Sequence, residues 1–290
     1  SSDLPSRYAL EKAYHLAMTG RRGPSWIDIP VNYQGCYIET DELRGYDPSE
    51  AINENPAPVE ESVIAEVIGK IKDAKRPVLY AGNGIRLSEG YGAFRKAVEK
   101  LGVPVVTCWD SIDAIEDENP LYVGRGGIMG DRAGNFAVQN ADLVLAVGNR
   151  LSIRQVGYSW KTWAREAYVI MVDVDPAELK KTTLHVELPV CADAKDFFVQ
   201  MNEQLVDEDV PVFSGTEWIG KCQEWKKNYP VTQTKHWEED GKYANVYAFI
   251  KYLSQNLPQG NMTVVSNGSA CVVGSHNYVI QKDSRFLINS

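Results

Sequence analysis

Pro77 to Ala81 (PVLYA) is a short apolar run with Gly82-Asn83-Gly84 directly behind it, and Asp142 to Gly148 (DLVLAVG) repeats that arrangement with Asn149-Arg150 behind it. The same alternation extends outward from both. Val63, Ile64, Val67, Ile68 and Ile71 share one helical face ahead of the first run. A helix near 89–101 precedes Pro104 to Cys108 (PVVTC), and another near 132–140 precedes the second run. Tyr168 to Asp175 (YVIMVDVD) follows, then a short strand near 187–190 and a helix carrying Phe197, Phe198, Met201 and Leu205. Runs that are apolar without alternation are strands buried on both sides. Strands of that kind alternating with helices make a parallel sheet covered on both faces. Residues 60–205 are therefore expected to form a doubly wound α/β domain.

The flanks are less complete. Tyr8 to Met18 reads as a helix, and Ser25 to Pro30 (SWIDIP) as a buried strand closed by proline. A lone helix and strand cannot bury themselves. Residues 39–61 carry eight acids and one base, Arg44, with Pro48, Pro56 and Pro58 among them, which predicts an extended connection. After Asp209, Trp218, Cys222 and Trp225 lie on one helical stripe, and Tyr243, Val246, Tyr247, Ile250 and Leu253 on another. Met262 to Ser266 (MTVVS) reads as a strand ending in Asn267-Gly268-Ser269-Ala270, and Arg285 to Asn289 (RFLIN) as a further strand.

Composition removes several classes of function. The 39 acidic residues exceed the 30 basic ones, so the basic stripe of a nucleic-acid binder is not expected. No run of eighteen apolar residues occurs, so no membrane span is expected. Ser1 to Arg7 lack a basic-then-apolar signal pattern, and the location expected is cytoplasmic. The five cysteines show no C-x-x-C spacing and read as buried thiols. The four histidines are isolated, so no protein-held zinc is expected.

In an open parallel sheet, ligands bind outside the carboxyl ends of the strands. The candidates there are Gly82, Asn83, Gly84, Thr107, Gly148, Asn149, Arg150 and the pair Asp173 and Asp175. Glycines allow close backbone approach, and helix starts favour phosphates. The G-N-G turn is not a complete G-x-G-x-x-G, because Leu87 stands at its third glycine position; it reads equally as a plain strand-to-helix turn. Gly124 to Gly130 (GRGGIMG) could hold an anion with help from Arg125 and Arg132, or be a flexible connection. Asp173 and Asp175 could accept ribose hydroxyls or cap the helix opening at Pro176. Asn267 to Ala270 could line a phosphate or cofactor pocket or be a strand-end turn. The pattern points to a nucleotide-sized site without naming a reaction.

Several segments, in this order, resemble the thiamine-diphosphate-dependent enzyme superfamily, nearest to the acetolactate synthase (acetohydroxyacid synthase) large-subunit group. Residues 20–34 (GRRGPSWIDIPVNYQ) are similar to the end of that family's pyrimidine-binding domain, and Arg76-Pro77 through Gly84 to the opening of its central domain. Ala133-Gly134-Asn135-Phe136-Ala137 through Gly148-Asn149-Arg150 resembles the family's A-N-x-A … D-L-(I/L)-(I/L)-x-V-G-x-R, and VDVDPAEL (172–179) its I-D-I-D-P-A-E-I.

The resemblance implies a Rossmann-like central sheet of the DHS-like NAD/FAD-binding type over 60–205. It implies the tail of a pyrimidine-binding domain over 1–38, linkers at 39–59 and 206–240, and the beginning of a diphosphate-binding domain over 241–290. It implies thiamine diphosphate and Mg²⁺ as cofactors, a 2-oxo acid as substrate, and a homodimer or homotetramer for the full-length protein. Asn267, Gly268, Ser269 and Ala270 match the loop where the diphosphate domain first meets the cofactor. Gly82, Asn83, Gly84, Thr107, Gly148, Asn149, Arg150 and Asp173 match FAD contacts of acetolactate synthases, although many superfamily members share the fold without FAD. Nothing here matches the family's catalytic glutamate or its G-D-G…N metal motif. A fragment without catalysis of its own is therefore expected. The alternative is a freestanding FAD- or NAD-binding module. A deacetylase-like or electron-transfer-flavoprotein-like domain would share the sheet but leave residues 20–34 unexplained.

Overall fold

The computed structural model describes residues 6–51, 55–205, 210–238 and 243–289. The chain divides into two compact units, Ser1–Ala57 and Pro58–Ser290.

The first unit is built on helix α1 (Ser6–Met18), none of whose residues is buried. Part of the stretch expected as an extended connection folds back on it. The Tyr46 ring lies 5.4 Å from Tyr8 and 5.4 Å from His15, and its N–H donates to Glu11 Oε2 at 2.7 Å. Arg44 and the Tyr8 hydroxyl both donate to Glu50. No strand forms at Ser25 to Pro30, and Trp26 is 89% exposed. A strand needs a neighbour for its main-chain hydrogen bonds, and none of the described residues of this unit forms one.

The second unit opens with helix α2 (Glu61–Asp73), whose Ile64, Val67, Ile68 and Ile71 are buried as the periodicity requires. The elements that follow are β1 (Pro77–Ala81), α3 (Tyr91–Leu101), β2 (Val105–Thr107), β3 (Tyr122–Arg125), α4 (Arg132–Asn140), β4 (Leu143–Val147), β5 (Tyr168–Asp173), β6 (Leu188–Cys191) and α5 (Ala194–Gln204). All six strands are parallel, in the order β3-β2-β1-β4-β5-β6. Helices α2 and α3 pack with α5, and α4 lies against β1, β2 and β3. This is the doubly wound sheet that the sequence predicts. Every residue of β1, β2 and β4 is buried, which explains why these strands are apolar without alternation.

Residues 206–240, expected as a linker, contain helix α6 (Thr216–Asn228), which packs on α4 and β3. Trp218 and Cys222 are buried in the main core, and Trp218 Nε1 donates to the Pro77 carbonyl at 3.0 Å. Residues 206–209 and 239–242 lie outside the described residues. Helix α7 (Val246–Asn256), β7 (Met262–Val265), α8 (Ser269–Asn277) and β8 (Arg285–Ile288) complete the chain, with β7 and β8 paired in parallel. Ile112, Tyr278, Ile280 and Phe286 form a small second core there. The buried Asp113 carboxylate ties the two parts together, accepting from Arg86 at 3.1 Å, Arg285 at 2.8 Å and the Phe286 N–H at 3.1 Å. No helix among the described residues is long and apolar enough to cross a membrane.

Candidate functional site

Strand order reverses between β1 and β4, the point at which a doubly wound sheet takes its ligands. Gly82 to Gly84 and Gly148 to Arg150 therefore stand side by side. The two turns are bonded to each other. Gly82 N–H donates to the Val147 carbonyl at 2.9 Å, and Gly84 N–H to the Gly148 carbonyl at 2.8 Å. A Cβ at Gly82 would lie 2.3 Å from Asn149 Cβ, and one at Gly84 2.7 Å from Gly148 Cα. These glycines permit close approach, and what approaches is the neighbouring turn.

Asn149, Arg150, Asp173 and Asp175 of this edge are engaged locally. The Asn149 side chain is buried; its Nδ2 donates to the Tyr80 carbonyl at 2.9 Å and its Oδ1 accepts from the Leu151 N–H at 3.1 Å. It holds a turn in which Arg150 and Leu151 both have positive φ, 41° and 45°. Arg150 is exposed and pairs with Glu178 at 3.4 Å. Asp173 Oδ1 accepts from the Asp175 N–H at 3.0 Å, and Asp175 caps the short helical turn Pro176–Leu179 through the Ala177 N–H at 2.8 Å. The Asn83 side chain caps nothing at the Gly84–Leu87 turn. The Thr107 hydroxyl, at the end of β2, is buried without a hydrogen-bond partner among the described residues. Ser111 was not singled out from sequence, yet its hydroxyl bonds the Ala81 carbonyl at 2.9 Å and accepts from Cys108 N–H at 3.0 Å. A serine three residues after a strand-end cysteine is a local turn signal that could have revealed it. Burial pushes the neighbouring Cys108 thiol well up, which leaves it inert as a nucleophile.

The Gly124 to Gly130 loop is neither slack nor an open anion nest. Asn135 grips it from α4, accepting from the Gly127 N–H at 2.9 Å and donating to the Gly127 carbonyl at 3.0 Å. Asp131 caps α4 through the Gly134 N–H at 2.7 Å and accepts from the Arg125 N–H at 2.9 Å. Arg132 is exposed, whereas the Arg125 side chain is buried.

Asn267 to Ala270 form the turn from β7 into α8. Gly268 has φ 84°, and no side chain caps the helix. Asn267 Oδ1 accepts from the Gly268 N–H at 2.7 Å. The first turn of α8 thus has no side-chain cap, and residues 267–270 are exposed, which leaves its N–H groups to solvent or to an anion.

Residues 64–201 match the family described as "Thiamine pyrophosphate enzyme, central domain". The chain is also similar to the acetolactate synthase large subunit of Corynebacterium glutamicum, 31% identical over 79% of this chain and 36% of that protein. A probable acetolactate synthase large subunit of Methanococcus aeolicus is 33% identical over 67% of this chain and 32% of its own length. The acetolactate synthase large subunit of Lactococcus lactis subsp. lactis is 29% identical over 100% of this chain and 48% of its own length. The chain thus spans less than half the length of these relatives. A six-stranded parallel sheet and the family match across it agree: residues 64–201 belong to the family of thiamine pyrophosphate enzyme central domains, in a chain similar to acetolactate synthase large subunits over both flanks as well.

Proposed function

We propose that the whole protein is a thiamine-diphosphate-dependent enzyme acting on a 2-oxo acid, with these residues supplying its central domain and the first contact with the cofactor's diphosphate. The observation that carries the reading is the uncapped start of α8 at the end of β7, following a central domain of the thiamine type. When bound, thiamine diphosphate supplies an electron sink for decarboxylation of the 2-oxo acid. The N–H groups of Ser269 and Ala270 hold negative oxygens, and positive-φ Gly268 lets the main chain approach them closely. Loop 267–270 has no carboxylate, so Mg²⁺ would be held by residues outside it. A homodimer or homotetramer goes with this reading.

The strand-end edge offers FAD little. The Gly82 and Gly84 N–H groups are spent on β4 and its turn, and Asn149 is spent on Tyr80 and Leu151. We therefore give the central domain a scaffolding role and assign no step to FAD.

The test is release of CO₂ from carboxyl-labelled pyruvate by the whole protein. Release that needs both thiamine diphosphate and Mg²⁺ supports the reading. Release that ignores thiamine diphosphate contradicts it. The 290-residue chain alone is expected to give none, because it has no match to the family's glutamate or metal motif.

A further inference from the structure

A cavity of about 130 Å³ opens where the end of β3 meets the end of α8. A single water needs only about 10–15 Å³ of such space, so a small molecule fits. The charged and titratable side chains lining it are Asp117, Arg125, Asp131, Lys226, Lys251 and His276, with the Tyr122, Tyr229 and Tyr278 rings beside them.

Arg125 is only 3% exposed. One Nη donates to the Tyr278 carbonyl, and its nearest carboxylate oxygen, on Asp117, is 3.7 Å away, too far for a hydrogen bond. Its Nε has no partner among the described residues. A buried guanidinium N–H left without an acceptor is costly and calls for an explanation.

The carboxylates of the cavity are already committed to the main chain. Asp131 accepts from the Arg125 and Gly134 N–H groups, and Asp117 Oδ2 from the Ile280 N–H at 2.7 Å. Lys226 Nζ donates to two carbonyls, Asp117 at 2.6 Å and Tyr122 at 3.0 Å, which neutralise no charge. Three cations thus face two carboxylates, and the most buried cation has a donor to spare. Burial depresses the Lys226 pKa and raises those of Asp117 and Asp131, which is the cost that desolvation puts on each charge around this cavity.

We propose that this cavity binds a small oxyanion, a phosphate or carboxylate group, on Arg125 with Lys226 and Lys251 completing its charge. The site is separate from the loop at 267–270. It lies at the other end of α8, about 13 Å away for a nine-residue helix.

Calorimetric titration of the 290-residue chain at low ionic strength, with inorganic phosphate and separately with pyruvate, tests this. One saturable site is expected for at least one probe, and the probe that binds assigns the oxyanion to phosphate or carboxylate. Arg125→Met should weaken binding by roughly tenfold or more, the worth of a hydrogen bond to a charged group. Lys226→Met and Lys251→Met are measured alongside, with thermal melts to check folding, because removing a buried arginine threatens the fold itself. Each should weaken binding several-fold. No binding of either probe at millimolar concentration overturns the proposal. Unchanged affinity in both lysine variants overturns it too, whether or not the arginine variant folds.

Discussion

The N–H of Gly84 donates to the carbonyl of Gly148 at 2.8 Å, which ties together the two turns at the point where strand order reverses. A methyl group at Gly84 would press on Gly148 main chain, which cannot swing aside as a side chain could. Gly84→Ala should therefore cost about 1–3 kcal/mol, the usual penalty of overpacking. Gly92, inside α3, has nothing within 4 Å of its Cβ position. Gly92→Ala should be stabilising by up to about 1 kcal/mol. Urea midpoints of the two variants should move in opposite directions.

Asn149 is expected to matter to stability before binding. Asn149→Ala removes the bonds to the Tyr80 carbonyl and the Leu151 N–H and leaves a buried gap. The cost should be about 1–3 kcal/mol in denaturant unfolding. Unchanged stability would argue that the side chain is kept for a ligand.

Strands β1, β2, β4 and β5 show in the sequence because they are buried on both sides and fall on the apolar runs, whereas β6 is a short edge strand with Pro189 and Cys191 exposed. Strand β3 escaped because Tyr122-Val123-Gly124-Arg125 is short and interrupts its apolar pair with a glycine and a cation. The candidate positions were legible as strand ends. What their atoms bond to was not. Asn149 reaches back 69 residues to Tyr80, and Arg125 reaches forward 153 residues to Tyr278, and no local pattern carries such distances. Helix α6 was seen as a stripe but placed in a linker, because Glu217, Lys221, Glu224, Lys226 and Lys227 make the segment look solvent-bound.

Limited proteolysis should respect α6. Its Trp218 and Trp225 rings meet edge to face at 5.7 Å, and Trp225 meets Phe136 of α4 in the same way at 5.8 Å. Early cuts are expected outside 216–228 and outside 77–173. Trp218→Ala should cost about 3–5 kcal/mol and open α6 to cleavage. Early cleavage inside α6 of the unsubstituted protein would contradict its docking.

His276 gives stability a pH dependence of known sign. Burial, and then the charge of Arg125, hold its imidazole below the usual range. The unfolded chain takes up that proton near pH ~6.5 while the folded chain resists it, so stability falls as pH drops through that value. Between about pH 8 and about pH 5.5, the melting temperature should fall further for the wild type than for His276→Phe. Equal falls would show that the imidazole is free to protonate in the folded state.

The central claim is that the start of α8 receives the diphosphate of thiamine diphosphate. The most direct measurement is the concentration of thiamine diphosphate that half-saturates CO₂ release from pyruvate by the whole protein carrying Ser269→Asp, compared with Ser269→Ala. A carboxylate at this helix start would repel the diphosphate and occupy the same N–H groups. The account predicts a requirement raised roughly tenfold or more in the aspartate variant, the effect of losing one charged hydrogen bond, and little changed in the alanine variant. Equal requirements in the two variants would contradict it.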